Sequence, residues 1–219
     1  MIKFPSSALF FVCSLALFNI SQANDAAVPE NVLNRLDSPL LQPKFKKLSY
    51  IYTPTIDNSK NTPVTVEFTS DGGLLKKNEI YSEDFHVERL TQADLIQLKA
   101  KVHNMGNEYL FITKELEVNA PESWSPGQIL SIRLVMEKLP AGSTDKPMKN
   151  SNTCTVGQRF PAREIFASLT GDAIALECEQ DNIKTSNAFV EDLGVALTLK
   201  KTLGKRESVH TYTAIDVVR

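Results

Sequence analysis

Asp84, His86 and Glu88 stand two residues apart within residues 80–90, a stretch that reads as extended chain. Side chains two apart on a strand share a face, so these three would project together while Phe85 and Val87 project oppositely. Imidazole and carboxylate are ligands that Zn²⁺ and other divalent ions accept. On a flat strand such residues recur about 7 Å apart at the backbone, so three of them close on one ion only with help from another element. Without that help the same face is a solvated surface whose histidine is flanked by carboxylates. His103 and His210 read as surface residues, one at a helix end and one on a strand's polar face.

Other chemistry is sparse. Glu115/Glu117 and Glu177/Glu179 each put two carboxylates on one strand face. Glycosidases set two carboxyls across a cleft, about 5–9 Å apart, whereas same-face neighbours serve solubility and guard strand edges. Ser143-Thr144-Asp145-Lys146 spells Ser-x-x-Lys, but it lies in a Gly/Pro-containing loop without the companion motifs of that chemistry. The chain has no Gly-x-Ser-x-Gly elbow, no His-Glu-x-x-His helix, no phosphate-cradling loop and no dinucleotide fingerprint. Trp124, between Pro121 and Pro126, is the candidate aromatic contact for a ligand or partner; the alternative is a ring that packs its loop on the core. No catalytic residue is nominated and no cofactor is called for.

Composition narrows the classes further. Among 219 residues, 24 Lys+Arg stand against 26 Asp+Glu, and 42% are hydrophobic. That balance leaves no basic footprint for nucleic acid, and the apolar content suits a folded core. The first 23 residues differ from the rest: Lys3 is their only charge, and 15 of them are hydrophobic. Residues 8–20 form an apolar run, and Ser21-Gln22-Ala23 places small residues where a signal peptidase needs them, predicting cleavage after Ala23. A run of thirteen residues falls short of the roughly 20 that span hydrocarbon. Cleavage would leave 196 residues with a net charge of −3 and two cysteines, Cys154 and Cys178. An even pair in an exported chain predicts a disulfide, and alternation sets Cys178 on the inward face with Ile174 and Leu176. The expected location is periplasmic or secreted, with no membrane span after cleavage.

These residues need positioning elements. Residues 24–43 are Pro-rich, with room for a short helix at 30–36. Period-two alternation then sets in at Leu48, Tyr50 and Tyr52, and again at Val64, Val66 and Phe68. Residues 91–103 read as a helix, capped by Thr91 and striped by Leu95, Leu98 and Val102. Residues 109–118 and 129–137 follow as strands, the second with Leu130, Ile132, Leu134 and Met136 on one face. Residues 140–153 lack periodicity and read as an exposed loop or a linker. A disulfide-bearing meander spans residues 154–219; in its last strand Val209, Thr211, Thr213, Ile215 and Val217 alternate against His210, Tyr212 and Asp216. The expected organisation is thus a leader (1–23), a Pro-rich segment (24–43), a β-rich half with one helix (44–139), a connection (140–153) and the meander. The fold class is mainly β: an antiparallel, curved sheet or sandwich with one or two short helices.

Gly157-Gln158-Arg159-Phe160-Pro161-Ala162, the strand ending at Cys178, and Phe189-Val190-Glu191-Asp192-Leu193-Gly194-Val195-Ala196-Leu197 carry a resemblance. Residues 157–218 resemble the closing part of exported bacterial proteins built on curved half-barrel sheets of the lipoprotein-carrier type. The resemblance implies a curved sheet and suggests an apolar cavity, here lined by Leu130, Ile132, Leu134, Leu197 and Leu199. It brings no functional residue. The expected function is non-enzymatic binding of an unknown protein or small molecule in the cell envelope. A metal-dependent enzyme using Asp84, His86 and Glu88, and a carrier of apolar ligands, are the alternatives.

Overall fold

The computed structural model describes residues 26–140 and 146–219. The expected leader, with its expected cleavage point after Ala23, and most of the Ser-x-x-Lys tetrad lie outside the described residues. The chain forms one antiparallel meander: β1 (Lys47–Ile56), β2 (Ser59–Lys60), β3 (Val64–Asp71), β4 (Leu74–Ser82), β5 (Phe85–Gln92), β6 (Ile96–Asn104), β7 (Asn107–Asn119), β8 (Ile129–Leu139), β9 (Met148–Pro161), β10 (Asp172–Gln180), β11 (Ile183–Val190), β12 (Val195–Leu203) and β13 (Arg206–Val218). Two-residue β2 pairs only with the end of β1. The other twelve close into a barrel, because β1 pairs with β13 from Lys47↔Val218 to Ile56↔Ser208. Closure removes the unpaired edges that an open curved sheet would present.

The barrel encloses two apolar cores. β12 pairs with β13 only from Lys200↔Val209 to Leu203↔Arg206. Below that point β12 leaves its neighbour, and the Ala196 N–H donates to the Ala93 carbonyl in the β5–β6 turn, 2.9 Å away. The ends of β11 and β12 are therefore buried on both faces. Ala188, Val190, Val195 and Leu197 pack with Leu48, Tyr50, Val66 and Phe68. Phe189 and Ala196 pack with Leu130, Ile132, Val156, Ile174 and Leu176. The two strands act as an internal wall.

The N-terminal segment joins the second core. Its short helix α1 (Glu30–Leu33) turns Val32 inward, and Val32 and Leu41 are fully buried there. Lys44 N–H donates to the Leu193 carbonyl at 2.9 Å, which fastens the segment to the β11–β12 turn. Gly194 in that turn has φ +65°, and a Cβ on it would collide with the Gln42 carbonyl oxygen, so glycine alone fits. Cys154 and Cys178 sit directly opposite each other on β9 and β10, buried and disulfide-bonded as expected.

Several expectations are corrected. Residues 91–103 are not helical: β5 ends at Gln92, Ala93 and Asp94 turn with positive φ, and β6 runs on from Ile96. Two successive left-handed residues make the tight hairpin turn that suits strand twist, and Leu98 and Ala100 are buried by alternation rather than helical spacing. Within residues 140–153, the stretch from Met148 on is not loop or linker. It is the start of β9, which pairs with β8 from Ile129↔Thr155 to Met136↔Met148, so both halves share one sheet. In β13 the strict alternation breaks at a bulge: Ile51 faces Ala214 while Tyr52 faces Tyr212. The extra residue re-aims the strand. Tyr212 is consequently buried in the first core with Ile215 and Val217 packed against it, and Val209 is exposed. Among the described residues no helix is long and apolar enough to cross a membrane.

Candidate functional site

Four strands position the outer face of interest. Register aligns Glu67, Asn78, Glu88 and Lys101 across β3–β6 in one row, and Thr69, Lys76, Leu90 and Lys99 in the next. These side chains line a groove of about 490 Å³. The row on its other side holds Ile80, His86, His103 and Glu108, from β4, β5, β6 and β7. Groove and histidine row thus share one wall, with Glu88 between them.

The structure brings His86 and Glu88 together but not with Asp84. Residues 80–90 are two strands, and Asp84 lies in the turn between Ser82 and Phe85. The third member is His103, placed opposite His86 on β6. The potential ligand atoms of His86, Glu88 and His103 all lie within 4.8 Å of one another. The two imidazoles stack with centroids 4.0 Å apart. His103 Nδ1 is 3.0 Å from Glu108 Oε1, and His103 Nε2 is 3.3 Å from Glu88 Oε1. That second contact lacks hydrogen-bond geometry, leaving a buried Nε2 without a hydrogen-bond partner. Glu108 also meets Lys101 at 3.0 Å, and its carboxyl is held below the ordinary range mainly by the Lys101 hydrogen bond. His103 escaped the sequence reading because a helical assignment gave it no cross-strand partner.

A second polar cluster lies inside the barrel. Lys77 Nζ reaches Asp94 at 2.7 Å and Glu79 at 3.0 Å, and Arg89 Nε reaches Glu79 at 2.7 Å. Arg89 also donates to Gln97. Burial works against the charge on Glu79, but Lys77 and Arg89 outweigh it and bring the carboxyl down to about 2. Burial likewise opposes the Lys77 charge, and Asp94 and Glu79 overcome it, so Lys77 holds its proton more firmly than usual. Alternation after Leu75 was the signal available in the sequence, since it sets Lys77 and Glu79 on the buried face.

The remaining candidates resolve simply. Trp124 is 8% exposed and its ring lies 4.7 Å from that of Phe189, so it packs its loop on the second core. His210 is not a plain surface residue: it stacks on Tyr52 at 4.3 Å. Burial first, then Lys201 and Lys77, push its pKa down to about 4. Glu117, Glu177 and Glu179 have the cross-strand partners Arg133, Ser186 and Lys184. Leu130 and Ile132 belong to the second core and Leu197 to the first, so the five leucine and isoleucine positions named above do not line one cavity. A space of about 110 Å³ does adjoin Ile132, Leu134 and Asn150, well below the roughly 300–1,000 Å³ of ligand pockets. No family model matches the chain, and no curated protein or solved structure matches it either.

Proposed function

We propose that this chain is an exported, non-catalytic binding protein of the bacterial cell envelope, and that it engages its ligand on the outer wall of β3–β6. The observation that carries this reading is the groove itself, about 490 Å³ and framed by Lys76, Lys99 and Lys101 with Glu67 and Glu88. Three ammonium groups on a rigid sheet suit a ligand with an anionic group, and two carboxylates restrict which ones fit. The apolar leader and the Cys154–Cys178 disulfide support export to an oxidising compartment. Exported protein would then begin at Asn24, which intact mass measurement reads directly.

The groove is tested by thermal shift against a panel of phosphorylated sugars, sulfated sugars and acidic peptides. At least one class raises Tm for the wild type, and the K76A/K99A/K101A variant loses that response. No response from any class, or an equal response from the variant, rejects the groove. A metal-dependent enzyme is the second reading. It is favoured by the approach of His86, Glu88 and His103, and it no longer includes Asp84.

A further inference from the structure

We propose that His86, Glu88 and His103 form a site for a divalent transition-metal ion, with Glu108 as the residue that orients His103. Cross-strand register delivers His86 and His103 side by side, and period two adds Glu88 from the same strand as His86. Two imidazoles and one carboxylate match the donor preferences of Zn²⁺ and its neighbours, and do not match those of Ca²⁺ or Mg²⁺.

The polar contacts of His103 point the same way. With Nδ1 donating its N–H to Glu108 Oε1, 3.0 Å away, Nε2 is the ring nitrogen left to bind a metal ion. Nε2 then faces Glu88 Oε1 at 3.3 Å, two electron-rich atoms with no hydrogen bond between them. A cation there resolves the conflict. A metal ion between them would satisfy both atoms, and the stacked His86 ring brings a further nitrogen donor to the same place. Coordination at about 2 Å per bond requires the stacked rings to swing from parallel so that the donors converge. His86 is half-buried and Glu88 exposed, so side-chain rotation suffices. Lys101, bonded to Glu108, is the charge that opposes the ion most directly.

Three protein ligands leave one tetrahedral position open. Glu88 also lines the groove, so an ion held by it would stand at the groove's edge and could add a Lewis-acidic contact for the same anionic group. The metal site itself does not depend on the groove binding anything.

Equilibrium dialysis of the untagged protein against micromolar Zn²⁺ near neutral pH is the test, with Co²⁺ substitution read by visible absorption. One equivalent of metal is expected, with the d–d bands of a low-coordinate site. H86A and H103A should each weaken binding at least tenfold, and D84A should leave it unchanged. E108Q should weaken it by roughly 10-fold and alter the Co²⁺ spectrum, as loss of an orienting carboxylate does. Far-ultraviolet circular dichroism confirms that each variant keeps its sheet, and H86N and H103N replace any alanine variant that does not. Absence of stoichiometric zinc overturns the proposal, as does zinc binding that survives in folded variants of both histidines.

Discussion

The two cores of the barrel are bounded by the same meander yet are held together by different chemistry. The second, under β6–β12, is apolar along strand faces: Leu130, Ile132 and Leu176 are essentially inaccessible, and a disulfide ties β9 to β10 within it. The first, under β1, β3 and β13, meets buried charge. Lys77 pairs across the sheet with Phe68, and Glu79 with Val66, so ions and aromatic rings share one inner surface. Burying ions is costly unless each finds partners, and here Lys77, Glu79, Arg89 and Asp94 do so mutually. One core is secured by a covalent bond and close packing, the other by a balanced set of charges. The charged arrangement is the one that couples to pH, and removing one of its members strands the others.

That contrast can be broken in order of expected effect. Lys77→Met removes the cation between two buried carboxylates and should cost about 3–5 kcal/mol by urea denaturation. Adding Asp94→Asn to the same chain should recover part of the loss, and failure to recover any would mean the ions do not act as a set. In the second core, replacing Cys154 and Cys178 together by Ala should cost about 3 kcal/mol on the chain-entropy account. A loss as large as that from Lys77→Met would erase the distinction.

Acid should expose the smaller difference. Both Glu79 and His210 have folded pKa values below their ordinary ones, about 2 against 4.5 and about 4 against 6.5. Each therefore contributes stability that is complete above the ordinary value and drains away as pH falls towards the folded one. Stability of the wild type should decline from about pH 6.5 to 4 through His210, and again from 4.5 to 2 through Glu79. His210→Phe should flatten the upper part of the stability-against-pH curve and Glu79→Gln the lower part. An unchanged curve in both would show that neither group couples protons to folding.

Much of this was readable along the chain, and the failures have a common cause. Period two in Leu130-x-Ile132-x-Leu134-x-Met136 reflects a strand with one wet and one dry face, and the structure buries Leu130, Ile132 and Met136 and half-buries Leu134. The inward placement of Cys178 followed from the same rule. Residues 91–103 misled because Leu95, Leu98 and Val102 mimic a helical stripe, while Ala93 and Asp94 carry no glycine to announce their positive φ. Residues 208–218 misled because a bulge leaves no mark in composition. His103 and Glu108 were invisible as partners for His86 because no local pattern relates residues on separate strands.

Amino-acid order by itself determined the leader pattern, the β-rich class, the cysteine pair and the inner and outer faces of individual strands. These are local matters of side-chain chemistry and a two-residue period. Tertiary structure alone decided that the sheet closes, that β11 and β12 divide its interior, and that His86 and Glu88 meet His103 while Asp84 turns away. Those outcomes depend on register between strands and on where hydrogen bonding to a neighbour ends. Pairing energies summed over the whole barrel set both.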